Sequence, residues 1–129
     1  MKNVAIFGAG RIGSIHATNV AALPGVKLVA VSDPMPAAAD ALASKLGAEV
    51  RSVDAILNDR AIEVVLIGSP TSTHSDLILR AAAAGKQIFC EKPVDLSVPR
   101  AEECQRAVEA RSEEHTSELQ SRLHLVCRL

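Results

Sequence analysis

Short apolar runs recur along the chain, at residues 2–7, 27–32, 63–67 and 87–90, with a shorter piece at Glu49-Val50-Arg51. Unbroken runs such as Val64-Val65-Leu66-Ile67 suit strands covered on both faces. Between them the spacing turns helical. Residues 11–22 predict a first helix with Ile12, Ile15, His16, Asn19, Val20 and Leu23 turned to the core, stopped by Leu23-Pro24-Gly25. Residues 35–46 predict an Ala-rich helix ended by Gly47, and residues 53–58 a short one. Thr73 with Asp76 three positions on reads as a variant capping box. That helix carries Leu77, Ile78, Ala81 and Ala82 on one face and ends at Gly85. Ser97 caps a last helix with Pro99 in its first turn and Ala101, Cys104 and Val108 on its apolar face. Strand and helix alternate throughout, which predicts a parallel sheet with helices on both faces.

The first strand runs directly into Gly8-Ala9-Gly10-Arg11-Ile12-Gly13, and the second ends in Asp33, 20 residues past the third glycine. An apolar strand, Gly-x-Gly-x-x-Gly, a helix and an acid at that distance together form a dinucleotide-binding fingerprint. Gly8 permits the tight turn, Gly10 lets backbone approach a pyrophosphate, and Gly13 lets helix and strand pack closely. The helix N-terminus near Arg11 attracts phosphates. Asp33 can accept both hydroxyls of the adenosine ribose, and its charge repels a 2′-phosphate, so the cofactor is NAD in preference to NADP. The fold class is therefore α/β, a Rossmann doubly wound parallel sheet of strand order 3-2-1-4-5. Ligand belongs at the carboxyl ends, near the switch between strands 1 and 4.

Bulk properties narrow the partners. The chain has 129 residues, of which 48% are hydrophobic, enough to build one domain core. A formal net charge of −1 and only two aromatic residues, both Phe, give no basis for nucleic-acid binding. The apolar runs are too short to span a bilayer, and the start shows no signal-peptide pattern. Cys90, Cys104 and Cys127 have no metal-ligand spacing and fit a reducing cytoplasm.

The last stretch departs from the alternation. Arg111-Ser112-Glu113-Glu114-His115-Thr116-Ser117-Glu118-Leu119-Gln120-Ser121 reads, codon for codon, as a translation of a short-read sequencing adapter. The expected organisation is a dinucleotide-binding domain over residues 1–110 and a non-native tail over 111–129. His115, His124 and Cys127 then carry no functional weight.

Three signatures stand in order: Gly8-Ala9-Gly10-Arg11-Ile12-Gly13-Ser14-Ile15-His16-Ala17, Ser69-Pro70-Thr71-Ser72-Thr73-His74, and Glu91-Lys92-Pro93. Together they resemble the Gfo/Idh/MocA family of NAD(P)-dependent sugar and polyol oxidoreductases over residues 1–110. Within it, Gly-Arg-Ile-Gly-x-Ile-His-Ala and Phe-Cys-Glu-Lys-Pro-Val-Asp-Leu look most like the inositol 2-dehydrogenase branch. The resemblance implies a second, larger α+β domain, missing here, that supplies most substrate contacts and the residues that assist proton transfer. It also implies a homo-oligomeric whole protein.

Lys92, at the carboxyl end of a central strand, is the candidate catalytic residue. Its ammonium can hydrogen-bond the reacting hydroxyl and stabilise negative charge as hydride leaves; the resemblance places it near the nicotinamide. Glu91 and Pro93 shape that turn. Ser69, Pro70 and Thr71 line the cofactor channel. His74 is open to two readings, an acid or base and a helix-start residue bracing the loop, the second fitting better. His16 reads as packing on the first helix or a hydrogen bond to neighbouring backbone. Arg11 is either near the pyrophosphate or solvated. The cofactor-binding set is Gly8, Ala9, Gly10, Arg11, Ile12, Gly13, Asp33, Ser69, Pro70, Thr71, His74, Glu91 and Lys92, with no metal site. The expected function is the NAD-binding half of a cytoplasmic dehydrogenase. The whole enzyme takes hydride from a secondary alcohol of a polyol, myo-inositol first, with no nucleic-acid or membrane partner. Another sugar dehydrogenase of the family and a non-catalytic NAD-binding module are the alternatives. The fragment alone is expected to be inactive, and to expose apolar surface where the second domain docks.

Overall fold

The computed structural model describes residues 1–90 and 98–112. Its strands are β1 (Lys2–Phe7), β2 (Val26–Ser32), β3 (Glu49–Val50), β4 (Val64–Ile67) and β5 (Gln87–Cys90). Its helices are α1 (Arg11–Ala22), α2 (Pro36–Leu46), α3 (Val53–Asn58), α4 (His74–Ala83) and α5 (Val98–Ser112). The five strands form one sheet in the order β3-β2-β1-β4-β5, and all four pairings are parallel. The expected Rossmann topology is therefore present.

Side chains alternate across the sheet, as a period of two requires. Ala5, Phe7, Ala30, Val65, Ile67, Ile88 and Cys90 point to the face covered by α3, α4 and α5. Ile6, Leu28 and Val31 point to the face covered by α1 and α2. The β1–β2 register shifts between Val4 and Ala5, so Val29 stands as an extra residue in β2. The predicted inward faces of α4 and α5 hold: Leu77, Ile78, Ala81, Ala82, Cys104 and Val108 are all buried. Pro99 lies in the first turn of α5, whereas the Ser97 cap falls outside the described residues.

Two expectations need correction. On α1 the buried residues are Gly13 and Ala17, while Asn19 is exposed and Ile12, Ile15 and Leu23 are 44%, 49% and 55% exposed. His16 and Val20 are half-buried. The reason is distance: a Cβ at Gly13 would stand 2.0 Å from the Gly8 carbonyl oxygen. A helix that close to β1 leaves room for glycine and alanine only, so the bulkier stripe is turned aside. Second, Thr73 does not cap α4. A 3₁₀ turn, Thr71–Thr73, precedes the helix, and the Thr73 side chain makes no cap bond. Its hydroxyl is engaged with Ser69 and the Pro70 carbonyl instead.

The far end of the sheet is fastened by charge. Lys86 is buried and donates from Nζ to the backbone oxygens of Asp59 and Ile62, holding the turn that leads into β4. Burial pushes its pKa down, opposed by the nearby Asp59 charge. Asp59 accepts from the Ala61 amide at 2.8 Å and from Arg51 at 2.7 Å. Those bonds, the amide first, hold its carboxyl below the usual value.

Candidate functional site: a glycine loop between three strand ends

The carboxyl ends of β1, β2 and β4 meet in one crevice. Gly8 continues the ladder beyond β1 by donating to the Ser32 carbonyl, and the Gly68 amide donates to the Phe7 carbonyl, both at 2.8 Å. Gly8 has φ +108°, a conformation that residues with a Cβ rarely adopt. A Cβ there would also lie 2.7 Å from the Gly68 carbonyl carbon and the Ser69 nitrogen. Gly68 in turn faces Gly13, with its virtual Cβ 3.1 Å from the Gly13 Cα. Three glycines thus interlock β1, α1 and β4. Gly68 escaped the sequence reading, although a glycine directly after the apolar run Val64–Ile67 was its signal.

Gly10 is different. It precedes α1 with φ −79°, which any residue can adopt, and a Cβ there would meet no atom of the described residues within 4 Å beyond its chain neighbours. Among the described residues no contact requires glycine at this position. The space in front of it is open at the N-terminus of a helix with no side-chain cap and no acid in its first turn. The first amides of a helix have no partner within it, and they carry the positive end of its dipole. That is the geometry a pyrophosphate fits: helix-start amides, positive potential and no Cβ in the way.

Asp33 closes the other end of the crevice. Its Oδ2 accepts from the Ala9 amide and its Oδ1 from the Met35 amide, each at 2.7 Å. The carboxylate thereby latches the glycine loop to the end of β2. Each oxygen keeps lone-pair capacity for a further donor. Arg11 is exposed, and Ile12 lies at the loop's rim, 44% exposed.

On the opposite side, Ser69, Pro70 and Thr71 follow β4. His74 is 2% exposed, and its Nε2 lies 2.7 Å from the Ser69 carbonyl oxygen. A carbonyl only accepts, so this nitrogen carries the hydrogen. His74 thereby ties the first turn of α4 to the loop. The structure brings Gly8 to Gly13, Asp33 and Ser69 around one crevice. His16 is half-buried on α1. Glu91, Lys92 and Pro93 lie outside the described residues, directly after β5, which is an edge strand of the sheet and not the central one expected.

The comparisons with known proteins agree with this geometry. The family model "Oxidoreductase family, NAD-binding Rossmann fold" (GFO_IDH_MocA) matches residues 2–118. Inositol 2-dehydrogenase of Rhizobium meliloti is 52% identical over 103 residues, covering 80% of this chain and 31% of that protein. A solved relative from Sinorhizobium meliloti 1021 superposes with a TM-score of 0.85 at 47% identity, over 87% of this chain and 34% of its own. The scyllo-inositol dehydrogenase of Lactobacillus casei, solved with bound NAD(H) and scyllo-inositol, gives a TM-score of 0.82 at 34% identity. It covers 88% of this chain and 34% of its own. The chain spans about a third of the length of the relatives it matches. Its fold, its glycine loop and this match together place the chain in the Gfo/Idh/MocA oxidoreductase family, as that family's NAD-binding Rossmann fold.

Proposed function

We propose that this chain is the cofactor-holding third of an NAD-dependent dehydrogenase acting on a secondary alcohol of a cyclic polyol, with myo-inositol as first substrate. The observation that carries the reading is Gly10, a helix-start glycine with open space in front of it among the described residues. The names of the relatives supply the substrate class. Asp33 supports NAD over NADP, since a 2′-phosphate would meet a carboxylate already fixed in place by two amides. When bound, NAD supplies the acceptor for the substrate's hydride. The protein's own part is to hold the pyrophosphate at α1 and the adenosine ribose at Asp33.

Lys92 follows β5 by two residues in the sequence. In this reading its ammonium hydrogen-bonds the reacting hydroxyl and steadies the charge on that oxygen. Glu91 and Pro93 set its backbone, and His74 serves as the brace of the loop. The remaining substrate contacts and the base come from polypeptide beyond this segment. Residues 111–129 are read as foreign, on the codon match alone. The family match runs on to residue 118, and sequencing the source locus decides: a different open frame after Ala110 supports the reading, and this tail in genomic DNA removes it. The whole protein is read as a cytoplasmic homo-oligomer. Among the described residues no helix is long and apolar enough to cross a membrane.

The test is an assay of NADH formation by the full-length enzyme with myo-inositol, scyllo-inositol and a panel of aldoses. Turnover of an inositol supports the proposal. Turnover of aldoses alone would move the chain to another sugar dehydrogenase of the family, and no turnover with intact NAD binding would make it a non-catalytic module.

A further inference from the structure

The loop after β4 contains a chain of hydrogen bonds whose proton directions follow from elementary accounting. The Pro70 carbonyl can only accept, and Thr73 Oγ1 lies 2.7 Å from it. The single Thr73 hydroxyl hydrogen is therefore committed to Pro70; turned away, it would leave two lone-pair oxygens facing each other at that distance. Ser69 Oγ lies 2.6 Å from Thr73 Oγ1. With the Thr73 hydrogen already used, Ser69 is the donor in that contact. The sequence of donation runs Ser69 to Thr73 to Pro70. Ser69 Oγ then has only lone pairs left for anything else. Its backbone carbonyl is held by His74 and its hydroxyl by the bond to Thr73.

Ser69 also stands in the right place to use this polarity. Its backbone nitrogen would lie 2.7 Å from a Cβ on Gly8, so it borders the glycine loop on the β4 side. Asp33 marks the β2 side, where the adenosine ribose belongs. With the pyrophosphate at the N-terminus of α1 between them, the other nucleoside of the dinucleotide must run over β4. We propose that Ser69 Oγ is a fixed hydrogen-bond acceptor for an O–H or N–H of the nicotinamide nucleoside. Thr73 is the positioning residue that sets this polarity. The inference rests on the NAD reading above and adds a second discriminating contact, opposite Asp33. It selects for a donor on the ligand and disfavours an acceptor placed there.

The experiment is a titration of the 129-residue chain with NADH, by calorimetry or fluorescence, alongside the melting temperature of each variant. Ser69→Ala should weaken NADH roughly fivefold, the worth of one ordinary hydrogen bond, with little change in melting. Thr73→Val, which keeps the shape and removes the acceptor for the Ser69 proton, should weaken it by a similar factor. Thr73→Ser should restore the affinity, since the relay is rebuilt. In the Ser69→Ala background, Thr73→Val should cause no further loss, because its effect passes through Ser69. A wild-type chain that fails to bind NADH would remove the cofactor reading itself. A wild-type chain that binds, with Ser69→Ala at full affinity or with the two losses multiplying in the double variant, would overturn the relay alone. Ser69→Ala keeps this test decisive if Thr73→Val fails to fold.

Discussion

Alanine at Gly10 and at Gly13 should have opposite consequences, although both glycines belong to one motif. At Gly13 the new Cβ would stand 2.0 Å from the Gly8 oxygen and 2.7 Å from the Gly8 carbon. Both are backbone atoms in a turn that cannot give way cheaply. Helix and loop would have to separate by about 1.4 Å to restore ordinary contact. Overpacking of this kind costs about 3 kcal/mol. Alanine's better helix propensity returns about 1 kcal/mol, which leaves a net loss of about 2 kcal/mol. For a domain of this size that lowers the melting temperature by roughly 8 °C. At Gly10 the Cβ enters open space with a compatible φ of −79°. Alanine is the poorer residue before a helix, yet it restricts the unfolded chain, and the two effects offset to within about 0.5 kcal/mol. Melting should move by no more than about 2 °C, while NADH affinity falls at least about tenfold because the pyrophosphate is held off the helix. Thermal melts monitored by circular dichroism, paired with NADH titrations, read both quantities. Equal destabilisation by the two substitutions, or full NADH affinity in Gly10→Ala, would refute the division of roles.

Three further outcomes follow from the same structure. Asp33→Asn keeps the shape but loses the charge; it should weaken NADH about tenfold, narrow the preference over NADPH, and shift the Ala9 amide resonance, whereas an unmoved Ala9 signal would argue against the latch. Ala17→Leu, at a position with no exposure, should cost about 2 kcal/mol by overpacking, while Ile15→Ala, at a half-exposed one, should cost under about 1 kcal/mol, as denaturant midpoints would report. Asp59 has its folded pKa depressed, so its contribution is present above the unfolded value of 3.8 and lost as pH falls through the folded one. Asp59→Asn should therefore flatten the acid limb of the stability profile, and an unchanged limb would remove that role.

The sheet order was legible because each apolar run was bounded and each crossover was long enough for a helix. Cofactor class was legible because Gly8, Gly13 and Asp33 answer to steric and electrostatic demands that depend on residue type. The inward face of α1 was not. Periodicity in Ile12, Ile15 and Leu23 reports that a helix has an apolar stripe, but not how close the helix comes to the sheet. Only the Gly8–Gly13 approach decides that, and it excludes the large side chains. Thr73 misled for a related reason. A hydroxyl before a helix can cap it or bond back into its own loop, and the 3₁₀ turn at Thr71–Thr73 selects the second. Gly68 shows the reverse case, a contact residue visible in the sequence only once the strand beside it is known to neighbour β1.

The central claim is that the crevice between β1, β2 and β4 is a seat for NAD built by this segment alone. Amide chemical shifts of the isotopically labelled 129-residue chain, followed while NAD is added, test it most directly. The account predicts saturable shifts concentrated at Gly8 to Gly13, at Asp33 and Met35, and at Gly68 and Ser69, with the turn around Asp59 and Lys86 unmoved. Saturable binding that leaves the glycine loop unshifted, or no binding by a folded chain, would contradict it.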